Sequence, residues 1–145
     1  MKRTTLFLIG LCLCLGQLSA AQTAKPDFSG KWLAHTMRFE NMAPAPPSDC
    51  REIEIAHQEP GLKVGPRNYT TDGKESFNTV QGVEIKSRAS WSGTRLVIES
   101  KSTFAGGMQE TKETWELSED RSELTITKEV LRARPSSMKL IYKKQ

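Results

Sequence analysis

Cysteine and histidine are scarce in this chain, with three cysteines and two histidines in 145 residues. Cys12 and Cys14 sit in the first apolar run. Once that run is removed Cys50 is left alone, and no internal disulfide can form. His35 and His57 fall in no H-x-x-H pattern and no C-x-x-C occurs, so no metal site is expected. The G-x-S-x-G, Walker and dinucleotide-binding patterns are missing as well. With no convergent nucleophile and base, the chain is expected to be neither an enzyme nor the holder of a cofactor. Neither histidine lies beside Cys50 in sequence to activate it, so that thiol is expected to be structural and half-buried. Long hydrophobic runs are also lacking. The one apolar run, between Leu6 and Leu15, falls short of the roughly 20 residues that span a bilayer.

That first run follows Lys2 and Arg3 and ends in Ser19-Ala20-Ala21, a charged start, an apolar middle and a small-x-small end. It predicts a secretory signal peptide over residues 1–21 and a secreted or periplasmic protein, with no integral membrane span after cleavage. Leu precedes both Cys12 and Cys14 where lipid attachment needs a small residue, so no lipid anchor is expected. Loss of Lys2 and Arg3 leaves nineteen basic against seventeen acidic residues. So small an excess is no signature of nucleic-acid binding. Residues 22–145 suffice for one domain and one core.

From Gly30 onward the pattern is alternation at period two broken by short turns, which predicts strands joined by hairpins and no substantial helix. Val83, Ile85, Ser87, Ala89 and Trp91 share one face, with Glu84, Lys86 and Arg88 on the other. Ser92-Gly93 then turns the chain into Leu96, Ile98, Ser100, Ser102 and Phe104. Ala105-Gly106-Gly107, residues 119–122 and Arg134-Pro135-Ser136 separate three further strands. Ile53, Ile55 and His57 alternate before Glu59-Pro60-Gly61, and Gly65-Pro66 is expected to end the pairing of the segment that follows. Residues 69–81 read as another hairpin. Successive hairpins without crossovers predict an all-β, antiparallel up-and-down meander barrel of about 8 to 10 strands rather than a Greek-key sandwich. Pro44, Pro46 and Pro47 make residues 39–49 an extended arm, either a flap over one mouth or a solvated connector.

Asp27-Phe28-Ser29-Gly30-Lys31-Trp32 opens the domain, and here the chain resembles the lipocalin-like, or calycin, proteins, whose hallmark is Gly-x-Trp on the first strand. The resemblance gives Gly30 a close backbone approach at the barrel floor and makes Trp32 the plug of the closed end. More closely, the chain resembles exported bacterial lipocalin-like proteins that pair this opening with segments matching residues 69–74, 91–100 and 115–118. That group carries no known activity to transfer, so the resemblance implies a barrel and leaves the ligand class open.

Two charges fall on an otherwise apolar face. If the turn at 119–122 sets Leu117 opposite Leu124, then Trp115 faces Ile126 and Glu113 faces Lys128 inside the barrel. The pair either anchors the head group of an apolar ligand or sits wet at the rim. Trp91, Phe104, Glu113, Trp115, Lys128, Tyr142 and His57 are the candidate ligand-lining residues, with Gly30 and Trp32 as structural signature. The expected function is a non-catalytic carrier of a small hydrophobic molecule. The alternatives are an envelope protein-interaction module with a filled barrel and, less favoured, an enzyme of unspecified reaction.

Overall fold

A computed structural model describes residues 24–40, 42–46 and 51–145. The signal peptide expected over residues 1–21 and the Cys50 thiol lie outside these residues. Ten strands follow one another, β1 (Gly30–Phe39), β2 (Glu52–Gln58), β3 (Gly61–Val64), β4 (Arg67–Thr70), β5 (Asp72–Val80), β6 (Val83–Ser92), β7 (Arg95–Phe104), β8 (Gly107–Leu117), β9 (Glu123–Leu131) and β10 (Ser136–Lys144). Every ladder is antiparallel, and there is no helix among the described residues. The single sheet runs β4-β3-β2-β1-β10-β9-β8-β7-β6-β5, curling into an up-and-down barrel that is nearly closed. The first and last strands pair with each other in its middle, Trp32 opposite Lys144.

The period-two pattern decides which side chains face inward, and the registers keep those faces together across the sheet. Leu117 lies opposite Leu124, Trp115 opposite Ile126 and Glu113 opposite Lys128, the pairing implied by the turn between β8 and β9. Three turns depart from expectation. β6 and β7 pair as far as Ser92 and Arg95, so Gly93-Thr94 forms that turn, one residue later than the sequence signal suggested. Gly65-Pro66 does not end the pairing either, because Val64 lies opposite Arg67 and the dipeptide joins β3 to β4 in a two-residue hairpin. Gly65 supplies the positive φ of 54° that such a turn needs.

The third departure concerns residues 69–81, which are not a laddered hairpin. β4 and β5 are the two ends of the sheet, and side chains close the seam between them. The Asn68 backbone N–H donates to Asn78 Oδ1 at 2.7 Å, Asn78 Nδ2 donates to the Asn68 carbonyl at 2.9 Å, and the Thr70 N–H donates to Ser76 Oγ at 3.1 Å. A primary amide offers the same donor and acceptor as a peptide unit, so Asn78 stands in for a strand neighbour. The side chain of Asn78 is nearly buried.

In the arm, the chain turns back after Phe39 and Ala45 exchanges two backbone hydrogen bonds with Met37, at 2.8 and 2.9 Å. Residues 42–46 are exposed. The Met37–Ala45 bridge lays this part of the arm beside β1.

Candidate functional site

In a meander, alternate turns fall at opposite ends. The turns β2–β3, β4–β5, β6–β7 and β8–β9 gather at one end, where the inner wall is aromatic and dry. Trp32, Trp115, Leu96 and Leu124 are fully buried there, and so is Phe28, which precedes β1. Phe28 stacks on Trp91 at 5.8 Å between ring centroids, meets Trp115 edge-on at 5.8 Å and lies 5.7 Å from the His57 ring. Its carbonyl accepts the Trp32 indole N–H at 2.9 Å. The plug is therefore Phe28 together with Trp32, four residues on, rather than Trp32 alone. Gly30 between them has φ of 138°, and a Cβ there would crowd the flexible end of Lys144 and make ordinary contact with the Trp32 indole, with no backbone close by. Its glycine is required by backbone conformation and not by the close backbone approach expected from the resemblance.

Glu59 ties this end together. Its carboxylate accepts from Lys25 Nζ at 3.0 Å, His57 Nε2 at 3.0 Å, Thr71 Oγ1 at 2.9 Å and Trp91 Nε1 at 2.8 Å. Burial works to raise its pKa, and these four donors outweigh it and hold the group at about 2. The Phe28 backbone N–H donates to His57 Nδ1 at 3.3 Å, so the imidazole carries its proton on Nε2, toward Glu59. Sequence reasoning missed this hub, since its donors come from four separate segments. It also missed Phe28 as a core residue.

At the other end lie Glu40, residues 42–46 and the turns Gly65-Pro66, Gln81-Gly82, Ala105-Gly106 and 132–135. Here much of the inner wall is half-buried, although Val64 beside the Gly65-Pro66 turn is buried. Ile85, Ser100, Thr111, Val130, Met138 and Leu140 all keep part of their surface accessible. Lys128 Nζ lies 3.4 Å from Glu113 Oε1, with side-chain exposures of 36% and 13%. Glu113 Oε2 accepts the Trp115 indole N–H at 3.1 Å, so this carboxylate marks the boundary between the aromatic plug and the open half. Two phenols face it from other strands. Burial pushes Tyr69 up to about 12 and raises Tyr142, and the Glu113 charge adds to both. Arg67, inward on β4 beside Tyr69, opposes the Tyr69 shift.

The candidate residues thus divide. Glu113, Lys128 and Tyr142 converge on the inner wall; Trp91, Trp115 and His57 belong to the plug, and Phe104 stands on the mouth rim, 45% exposed. Arg67 and Tyr69 join the inner group without having been singled out, although the alternation of Leu62, Val64, Arg67 and Tyr69 across Gly65-Pro66 carries the signal. Among the described residues, hollows lie on the outer wall and at the mouth. One of about 520 Å³ is bordered by Glu75, Lys86, Arg88, Lys101 and Glu110. Its charges neutralise one another, Glu75 with Lys86 and Arg88 and Lys101 with Glu110.

Ten up-and-down strands, plugged at one end and polar within the other, define a nearly closed antiparallel barrel with a lipocalin-like fold. Two solved structures share the fold, both of secretory abundant heat soluble proteins from Ramazzottius varieornatus. One superposes with a TM-score of 0.58 at 16% identity, covering 86% of this chain and 100% of that one. The other, secretory abundant heat soluble protein 4, gives 0.57 at 21% identity over 85% and 97%. No protein-family description matches the chain. No curated protein matches it either.

Proposed function

We propose that the protein is an exported, non-catalytic carrier that holds a small apolar molecule with a polar head in the open half of its barrel. The observation that carries this reading is the graded inner wall. A barrel filled by its own side chains would bury its inward residues at both ends, whereas here the mouth half leaves apolar and polar groups partly accessible around Glu113 and Lys128. Inward-facing Lys128 and Arg67 outnumber Glu113 and favour an anionic head group. Export rests on the leader over residues 1–21 and the resemblance to exported bacterial barrels, and the secretory character of the two structural neighbours is in keeping with it.

The test is native mass spectrometry of protein purified from its source. A co-purifying small molecule, held less well by Lys128→Met, is the expected result. A protein that carries nothing, and whose tryptophan fluorescence is unmoved by any amphiphile tried, would sink the carrier reading. The mouth's exposed apolar residues favour a second reading, a module that docks on a partner through its rim.

A further inference from the structure

Six large apolar side chains are exposed among the described residues, and their distribution is uneven. Phe77 lies on the outer wall, where Lys86 covers its ring at 5.8 Å. The other five, Phe39, Met42, Phe104, Met108 and Leu131, all belong to the mouth, and none is at the plugged end. They are not scattered around it. Phe104, Met108 and Leu131 border a cleft of about 370 Å³ with Arg132, and Leu131 also borders a second hollow of about 600 Å³ with Phe39, Arg38 and Lys139. One continuous flank of the mouth therefore combines apolar side chains with cations. Arg132 and Arg134 lie in the β9–β10 turn, and Arg38 is paired in register with Lys139 just below it. None of these four cations has a carboxylate within ion-pair distance among the described residues, while Glu40 and Glu129 are the acidic groups on the same flank.

Several charges elsewhere on the wall are matched in pairs, as Lys101 with Glu110 and Arg95 with Glu116, and Lys63 and Lys143, unpaired among the described residues, stand away from any exposed large apolar side chain. A flank that leaves cations unmatched beside exposed Phe, Met and Leu has the composition of a surface that meets anions and hydrocarbon together. We propose that this flank seats the mouth on an anionic lipid surface. Phe104, Met108 and Leu131 enter the boundary between head groups and acyl chains, and Arg132, Arg134, Arg38 and Lys139 meet lipid phosphates. The attachment is peripheral and reversible, since no side chain here is long enough to reach beyond the interface. It points the open half of the barrel at the bilayer. It does not depend on the carrier reading, because the residues involved are on the rim and not on the inner wall.

The test is co-sedimentation of the purified protein with vesicles of phosphatidylcholine alone and of phosphatidylcholine mixed with phosphatidylglycerol. Binding to the mixed vesicles only, weakening as salt rises, is expected. A cation close to an anionic surface is worth roughly fivefold in partitioning, so Arg132→Ser with Arg134→Ser should lower binding by about twenty-five-fold at low salt. Phe104→Ser with Met108→Ser should lower it at every salt concentration. Lys143→Ser, an exposed site toward the plugged end, should leave it unchanged. All these positions are exposed, so melting curves should overlay and exclude misfolding. Equal binding to both vesicles, no binding to either, or binding that survives the arginine replacements would overturn the proposal. So would a dimer in sedimentation that the Phe104 and Met108 replacements abolish, since the flank would then serve a second copy of the chain. Vesicle binding lost while small-molecule retention persists would separate this proposal from the carrier.

Discussion

The two ends of the barrel are built from the same strands and the same alternation, and they have opposite characters. Phe28 at the plugged end is wholly buried among Trp32, Trp91 and Trp115, whereas Phe104 at the mouth is 45% exposed. The difference is made by a short piece of chain outside the sheet. The segment before β1 folds across one end and brings Lys25, Asp27 and Phe28 with it, fixed by the Glu59 hub. Nothing comparable among the described residues crosses the other end. Buried packing is therefore concentrated at the plug, and the mouth is left more accessible.

The sharpest way to break this comparison is Trp32→Ala, which should cost about 3 to 5 kcal/mol by leaving a cavity no neighbour can fill. Urea denaturation would show it, and an unchanged midpoint would mean that the end is not closed by packing. Phe28→Ala should cost about 3 kcal/mol, and Phe104→Ala less than about 0.5 kcal/mol. Near-equal losses for the two phenylalanines would erase the distinction between the ends. At the boundary, Lys128→Met should cost about 1 to 2 kcal/mol, short of a fully buried pair because Lys128 still touches water. Pairing it with Glu113→Leu should not restore full stability, since the Trp115 indole N–H then loses its acceptor. A double-mutant cycle measures that coupling.

The smallest effect is a matter of pH. Glu59 is held at about 2 in the folded protein, against an ordinary 4.5. The carboxylate is favoured by folding, so its contribution is complete above about pH 4.5 and is lost as the pH falls towards 2. Glu59→Gln should flatten stability across that window while lowering it modestly at neutral pH. A parallel acid profile for the two proteins would show that the hub is electrostatically idle.

Much of the barrel was legible because it is written locally. Hairpins depend on residues a few positions apart, and the β8–β9 register followed from Leu117, Leu124 and their turn alone. The plug was half legible, since Gly-x-Trp identifies Trp32 but Phe28 stands in a segment with no alternation. Glu59 was illegible for a different reason. Its donors Lys25 and Trp91 lie 34 and 32 residues away, and no periodicity links them. The seam was hidden because Asn78 and Ser76 sit where a strand pattern is read by its apolar residues, while their hydrogen bonds to β4 decide how the sheet ends.

The sheet order has a kinetic consequence. The strands most distant in sequence, β1 and β10, form a full ladder at the centre of the sheet, while β4 and β5, separated by a single residue, meet without one. Chain closure entropy thus falls on the ladder that holds the two halves together. The hairpins of β6 to β10 can form as they are synthesised, but the wall cannot be completed until the last strand finds the first. Joining the ends and reopening the chain at Thr71 would turn that late search into a local hairpin and sacrifice no ladder. Such a rearranged chain should collapse faster into the same barrel.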